Sequence, residues 1–329
     1  MTPIASHLTA FLREHLPRDR ACSPHTCDAY AYSFQLLLCF ASERHKTSPS
    51  ALSLEQLDAP LVLAFLEFIE IMRGNSARTR NARLAAIKAF AHFIEYRVPS
   101  AIEQVRCILA IPFKKTDEAL VNYLNQTELQ SLLDAPDPTS HSGTRDRAML
   151  HVCFAAGLRV SELIGLRLDD LQTHPQASLR VRGKGRRERV MPLWKETTTV
   201  LRDWLAVRTQ ATASELFLNA QGIPMTRAGF EYILAKHVKT AALECPSIAS
   251  KRVSPHVLRH TCAMHTLQAT HDVRKVSLWL GHATVKSTEV YLRADPMEKL
   301  EAMNASVAPT LRQGQFKVPD RLLDMLRKG

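Results

Sequence analysis

The sequence lacks the marks of a membrane or secreted protein. None of its 329 residues falls in an apolar run long enough to span a bilayer. Its first residues have neither the apolar core nor the cleavage site of a signal peptide. The seven cysteines are odd in number and form no CxxC pair, which favours free thiols in a reducing compartment over a disulfide framework. These absences predict a cytoplasmic protein with no membrane partner.

The chain also has no internal repeat and no low-complexity tract. Hydrophobic residues make up 46% of it and charged residues 23%, which is typical of a globular protein. A chain of 329 residues can form two domains, each with its own core.

Positive charge is abundant and unevenly distributed. The net charge is +11 and the pI is near 9.5, which favours a polyanionic partner over a merely basic surface. Residues 1–110 hold 12 Lys and Arg against 10 Asp and Glu, so most of the excess lies in residues 111–329. The larger C-terminal part is therefore the better candidate for binding a polyanion.

Hydrophobic periodicity predicts a mainly α protein with a small antiparallel β-sheet. Residues 1–110 read as helices only, and the proline and charge run of 111–122 predict a linker. Residues 123–310 read as helices around one strand-rich insert, and 311–329 as a tail with a short helix. In the helix after Ser76, Leu84 begins an apolar stripe. Away from that stripe we place three cations, which are DNA contacts or a solvated face: Arg80, Arg83 and Lys88.

The most basic segment is "VRGKGRRERVMPL", residues 181–193, which reads as two short strands around a tight turn. Between residues 180 and 189 there are five arginines and one lysine against one glutamate. Gly183 and Gly185 flank Lys184 and let the turn approach a phosphate backbone closely. The alternative is a solvated basic hairpin.

Other candidate residues are weak signals when taken singly. Arg159 follows a glycine turn, and Tyr291 lies in a predicted helix where packing is its commonest role. His256 and His260 have the i, i+4 spacing of a zinc pair. No Glu follows the first histidine as HExxH requires, so we expect no metal. The informative feature is the joint order of arginine, glycine-turn lysine, His-x-x-Arg, Gly-His and tyrosine.

That order resembles the tyrosine recombinases, or integrases, over most of residues 120–295. "AAGLRVSELIGLRLDDL" is similar to their first conserved box, "HVLRHTCA" to the second, and "LGHATVKSTEVY" to the segment that ends in their nucleophile. The resemblance implies an N-terminal helical core-binding domain followed by an α+β catalytic domain. It also implies site-specific DNA recombination through a 3′-phosphotyrosyl intermediate.

The resemblance assigns a role to each matching residue. Arg159 and Arg259 would clamp the non-bridging phosphate oxygens, because a guanidinium stays charged and presents a planar donor fork. Tyr291 would attack phosphorus, with His256 as general base and Lys184 as general acid. His282 would hydrogen-bond the phosphate, and Glu162 would orient Arg159 or His256. The hairpin arginines would neutralise the flanking DNA backbone: Arg180, Arg182, Arg186, Arg187 and Arg189.

We expect duplex DNA with a specific recombination site as the partner and no cofactor, because a covalent link conserves the phosphodiester energy. Exchange of four strands implies a homotetramer on DNA, with the tail helix of 311–329 docked on a neighbouring protomer or on its own domain. Two alternatives stay open. One is a type IB topoisomerase-like enzyme, and the other is a non-catalytic DNA-binding regulator.

Overall fold

The computed structural model describes residues 2–117, 120–173, 176–183, 188–208, 213–282 and 284–294. The chain divides into two compact units, Met1–Glu118 and Ala119–Gly329. The predicted tail of 311–329 and the tip of the predicted basic turn lie outside the described residues. The bounds predicted for the linker and the catalytic domain stay predictions.

In its described part, unit 1 forms helices joined by short connections, with one isolated β-bridge between Pro3 and Ser53. A π-helical segment, Phe11–Asp19, continues the first helix, and short 3₁₀ turns occupy Pro49–Ala51, Leu54–Gln56 and Pro99–Ala101. The α-helices are α1 (Ile4–Ala10), α2 (Pro24–His45), α3 (Ala59–Ile71), α4 (Ala77–Glu95) and α5 (Ile102–Ala110).

Local capping explains where these helices begin. The side chain of Ser23 accepts a hydrogen bond from the backbone N–H of Thr26, and Pro24 takes the first helical position, where no N–H is needed. Ser76 caps α4 in the same way through the N–H of Thr79. The start of α4 after Ser76 agrees with the sequence prediction.

The apolar stripe of α4 packs into a core rich in phenylalanine. The stripe residues Leu84, Ile87, Ala91 and Ile94 are all buried. Arg80 stands four residues before Leu84 and therefore shares the stripe's face of the helix. It is only 6% exposed, and its guanidinium lies 3.4 Å from the Glu70 carboxylate. The prediction that Arg80 lies away from the stripe was wrong.

Unit 2 combines eight helices with one small sheet in its described part. Short 3₁₀ turns occupy Leu168–Asp170, Pro246–Ser250 and Val285–Ser287. The α-helices are α6 (Gln126–Asp134), α7 (His141–Ala155), α8 (Val160–Ile164), α9 (Lys195–Val207), α10 (Arg227–Glu244), α11 (Pro255–Thr270), α12 (Val273–Leu280) and α13 (Glu289–Ala294).

The sheet is antiparallel in the order β1-β2-β3, with β1 at Leu171–Gln172, β2 at Ser178–Arg182 and β3 at Glu188–Pro192. Leu179 pairs with Met191 across β2 and β3, and Val181 pairs with Arg189. Because directly paired residues point to the same face of a sheet, these four side chains face the protein interior. Arg180 and Arg182 lie on the opposite, exposed face.

The predicted fold class is confirmed, with helices dominating and one small antiparallel sheet inserted in the C-terminal unit. The main core of unit 2 includes the fully buried Met149, Trp204 and Phe230. None of the helices in the described part of the chain has the length and apolarity needed to cross a bilayer.

Candidate active site

A tight turn between α7 and α8 presents Arg159. Gly157 has a φ of 55°, which glycine adopts without strain. A Cβ at this position would lie 2.7 Å from Leu280 Cδ2 and 3.1 Å from Cys262 Sγ. The turn therefore packs too closely against α11 and α12 to admit a side chain. This close packing holds Arg159, the residue before α8, next to both helices.

Glu162 connects the arginines of the site. Its buried carboxylate lies 2.7 Å from Arg159 Nη1, 3.0 Å from Arg189 Nη2 and 3.8 Å from Arg259 Nη1. Burial alone would raise the pKa of Glu162, but hydrogen bonds and charge from Arg189 and Arg159 hold that pKa below its usual value. One ionised carboxylate thus faces three guanidinium groups, and the cluster keeps an excess of positive charge.

Arg259 is fixed by backbone carbonyl groups. It is 4% exposed on α11, and its guanidinium donates to the carbonyl oxygens of Gly157 and Leu280, the latter at 2.7 Å. Burial, aided by the charge of Arg159, lowers the pKa of Arg259 to about 10, so the group stays charged at neutral pH. A guanidinium has five N–H donors, so these two bonds leave others to hold an anion.

Tyr291 lies on α13 and is 2% exposed. Its hydroxyl lies 2.9 Å from Nδ1 of His260. Burial raises the pKa of Tyr291 to about 12, although the charges of Arg259 and Arg159 act in the opposite direction. The phenol therefore keeps its proton at neutral pH and needs a proton acceptor before it can act as a nucleophile. The ring packs in an apolar cluster that includes Ala263, Met264, Leu267, Val276 and Leu280.

His282 follows the glycine that ends α12. Gly281 has a φ of 63°, and a Cβ there would lie 3.1 Å from Cδ and Nη1 of Arg189. His282 Nδ1 lies 2.8 Å from Thr288 Oγ1, which fixes the orientation of its ring. Burial and the charge of Arg259 lower the pKa of His282 to about 4, so the ring is neutral at neutral pH.

Two of the three histidines of α11 occupy different environments. His256 is exposed and His260 is half-buried, and their rings stack with centroids 6.3 Å apart. Only His260 of the two has a ring nitrogen on the Tyr291 hydroxyl. Among the described residues there is no group of three or more His, Cys, Asp or Glu that could hold a metal ion.

A model of the phage integrase family matches residues 122–298, more than half of the chain. The chain belongs to the phage integrase family. A second model, of the family's N-terminal SAM-like domain, matches residues 8–97.

Individual relatives agree with the family match. The putative integrase/recombinase y4rC of Sinorhizobium fredii is 42% identical over 98% of this chain and 97% of its own. The tyrosine recombinase XerC of Pelobacter propionicus is 33% identical over 88% of this chain and 91% of its own. The resemblance to tyrosine recombinases is confirmed, and with it a DNA strand-cleaving and rejoining enzyme of site-specific recombination.

Solved structures support the fold. The XerH site-specific recombinase bound to a palindromic difH substrate has a TM-score of 0.67 and 22% identity, covering 87% of this chain and 81% of that chain. A Tn1549 transposon integrase in complex with transposon right end DNA also has a TM-score of 0.67, at 17% identity over 90% of this chain and 98% of that chain.

Within this integrase fold, the structure brings together several residues that the sequence predicted. Glu162 was predicted to orient Arg159 or His256, and the structure shows the contact with Arg159. The same carboxylate joins Arg159 to Arg259. His256 was predicted as the base for Tyr291, but the ring nitrogen on the hydroxyl belongs to His260. Lys184, Arg186 and Arg187 lie outside the described residues, so their roles stay predictions.

Arg189 lies within the site and not along the flanking DNA surface predicted for it. The sequence predicts a contact with the flanking DNA backbone, but the Arg189 side chain is only 11% exposed and pairs with Glu162. The alternation of side chains along a β-strand predicts the inward orientation of Arg189. Arg189 is two residues before the buried Met191, so both point inward. Arg182, which lies on the exposed face, pairs instead with Asp170 at 3.1 Å.

The remaining predicted DNA contacts of unit 1 are engaged within that unit. Arg83 Nη1 donates to Ser33 Oγ at 2.9 Å. Lys88 Nζ donates to the Leu109 carbonyl at 2.6 Å, and burial lowers its pKa. Both side chains therefore have structural roles in the DNA-free protein, and their contact with phosphates stays a prediction.

The Glu162 carboxylate should stabilise the fold in a pH-dependent way. Glu162→Gln keeps the side chain's size but leaves three arginines facing a neutral group. We expect a loss of roughly 2–4 kcal/mol in the free energy of unfolding at pH 7. Because the folded-state pKa of Glu162 is depressed, its contribution is present above the unfolded value of about 4.3 and is lost as pH falls through the folded value.

Chemical unfolding at pH 7 and near pH 4 measures this effect. The difference between wild type and Glu162→Gln should be smaller at the lower pH. Glu231→Gln is the matched control, because its pair with Arg227 is exposed and should contribute about 0.5 kcal/mol or less. An equal difference at both pH values would contradict the assigned role of the charge.

Proposed function

We propose that this protein is a site-specific DNA recombinase that uses Tyr291 as its nucleophile. The Tyr291 oxygen attacks the phosphorus of a DNA phosphodiester, the bond to the 5′-oxygen breaks, and a 3′-phosphotyrosyl bond forms. The phenol proton passes to a base, for which His256 is the candidate, and Lys184 protonates the departing 5′-oxygen. Attack by a 5′-hydroxyl of a partner strand reverses the step and exchanges strands.

One observation carries this proposal. Three guanidinium groups surround the Glu162 carboxylate, and the charges of Arg259 and Arg159 act on the Tyr291 phenol. A cluster with excess positive charge next to a phenol is suited to a phosphate that gains negative charge during attack. Because its donors are already fixed by Glu162 and by backbone carbonyls, little reorganisation is needed when the phosphate arrives.

The mechanism sets the expected partners. Duplex DNA with a specific site is the substrate, and His282 donates a hydrogen bond to the same phosphate. Exchange between two duplexes requires four protomers, so we propose a tetramer on DNA, with residues 311–329 docking on a neighbouring protomer. The reaction needs no high-energy cofactor, and we propose that it takes place in the cytoplasm.

Covalent capture tests the proposal and does not require that the DNA site be identified first. The protein is incubated with fragmented genomic DNA of its source in EDTA, the mixture is denatured, and DNA linked to protein is sequenced. We expect adducts despite the chelator, because the proposed groups are organic acids, bases and cations. We also expect one sequence to be strongly enriched among them.

The outcomes separate the three functions that the sequence left open. A topoisomerase-like enzyme would give adducts spread over many sequences and would relax supercoiled DNA that lacks a specific site. A non-catalytic regulator would enrich a sequence without covalent linkage. Loss of adducts in EDTA and their return with Mg²⁺ would contradict the proposed chemistry.

A further inference from the structure

The Tyr291 hydroxyl is held by a residue that the proposed mechanism does not use. His260 Nδ1 lies 2.9 Å from the oxygen, and the two rings pack edge to face with centroids 5.6 Å apart. The ring of His256, the candidate base, stacks on the His260 ring and not on Tyr291. The Tyr291 hydroxyl therefore bonds to the half-buried His260 and not to the exposed His256.

The protonation state of His260 decides whether its Nδ1 can accept this hydrogen bond. Burial, aided by the charges of His256 and Arg259, lowers the pKa of His260 to about 4. The imidazole is therefore neutral near pH 7. A neutral ring can present Nδ1 as an acceptor, and the Tyr291 O–H is then the donor.

Such a bond stabilises the unreactive form of the nucleophile. A neutral imidazole with so low a pKa is a poor acceptor of a full proton from a phenol whose pKa is about 12. The bond favours the protonated phenol and disfavours the phenolate. It does not by itself prepare Tyr291 for attack.

Burial of the nucleophile also indicates that Tyr291 is not prepared for attack in the DNA-free protein. Tyr291 is 2% exposed, whereas its oxygen must touch a phosphorus atom of a large polyanion. Before the oxygen and the phosphorus can meet, the phenol must turn out of the apolar cluster around its ring, or that cluster must open. The turning of the phenol breaks or stretches the bond to His260.

We propose that His260 is a positioning residue that latches the Tyr291 hydroxyl in the DNA-free protein and releases it when DNA is bound. The latch keeps the nucleophile protonated and away from solvent until a phosphate occupies the arginine cluster. This inference rests on the proposed function for its purpose. The latch itself is a property of the DNA-free protein and can be measured there.

Three variants test the latch. His260→Phe keeps a ring against Tyr291 but removes the acceptor. His260→Asn restores an acceptor, since the Asn Oδ1 occupies the place of Nδ1. His265→Phe is the matched control, because His265 is also half-buried on α11, with one ring-nitrogen bond to a backbone carbonyl and one edge-to-face aromatic contact.

The first measurement needs no DNA. Acetylation of tyrosines by N-acetylimidazole is followed by peptide mass mapping, with the exposed Tyr232 as an internal reference. We expect Tyr291 labelling to rise roughly two- to tenfold in His260→Phe, the range that corresponds to losing one hydrogen bond. Labelling in His260→Asn and His265→Phe should stay near the wild-type level.

The second measurement is the rate of covalent adduct formation on captured DNA, which should rise by a similar factor in His260→Phe. A fall in that rate would make His260 a participant in cleavage and would overturn the latch, as would labelling unchanged in His260→Phe. Failure of the proposed function is a different result. In that case wild type forms no adduct, while the labelling ratio still decides whether the latch exists.

Discussion

Tyr291→Phe should abolish the covalent protein–DNA adduct while leaving a folded protein that binds DNA. The substitution removes one oxygen, the proposed nucleophile, and keeps the ring that packs against Ala263, Met264 and Leu280. Loss of a nucleophile typically lowers the rate by roughly three or more orders of magnitude. The adduct, measured on denaturing gels with end-labelled DNA, should fall below detection.

The stability of Tyr291→Phe should change little. The variant loses the hydrogen bond to His260, which contributes about 1 kcal/mol, and leaves one ring nitrogen without its partner. Thermal unfolding should therefore show a fall in Tm of only a few degrees. DNA affinity, measured by fluorescence anisotropy, should stay within about twofold, because no charge is removed.

Tyr232→Phe is the matched control. Tyr232 lies in the same unit on α10 and is 73% exposed, so it is the most accessible phenol with which Tyr291 could be confused. We expect this variant to form the adduct at the wild-type rate. A phosphotyrosyl adduct that persists in Tyr291→Phe, or disappears in Tyr232→Phe, would refute the assignment of Tyr291.

Local chemistry made helix ends predictable from the sequence. Ser254 caps α11 through the N–H of Val257, with Pro255 at the first position, and Gly281 ends α12 in the left-handed region. Both depend on the conformational preferences of one or two neighbouring residues. The order of the chemistry-bearing residues was also readable, because it is a property of the linear sequence.

Contacts between distant elements were harder to predict. The Glu162 carboxylate meets guanidinium groups from β3 and α11 as well as that of Arg159, just before its own helix. No local pattern specifies that convergence. His260 and His256 share a face of α11, and the packing of α13 decides which of them reaches Tyr291. Arg80 shows a different difficulty. Its charge favoured an exposed position, although its place in the helix lies on the buried face.

Arg159→Ala and Arg259→Ala should both slow adduct formation severely, but they should differ in stability. Each removes one donor that faces the developing charge of the phosphate, and loss of such a donor typically costs about 10²- to 10³-fold in rate. Arg159 has 32% of its side chain exposed and bonds mainly to Glu162, which retains Arg189 as a partner. Its loss should lower the free energy of unfolding by about 1 kcal/mol.

Arg259→Ala should also unfold more easily, because Arg259 is buried and its guanidinium holds the carbonyl oxygens of Gly157 and Leu280. Truncation leaves both oxygens without that donor, at a cost of roughly 2–4 kcal/mol. Single-turnover adduct rates measured well below each Tm separate the two effects.

Arg147→Ala is the control for Arg159→Ala, because Arg147 has a similar exposure and one carboxylate partner, Asp134. Wild-type adduct rates in Arg159→Ala would show that the Glu162 cluster does not hold the reacting phosphate. Arg159 is the most exposed of the three arginines, so its loss should reduce the stabilisation of charge on the phosphate.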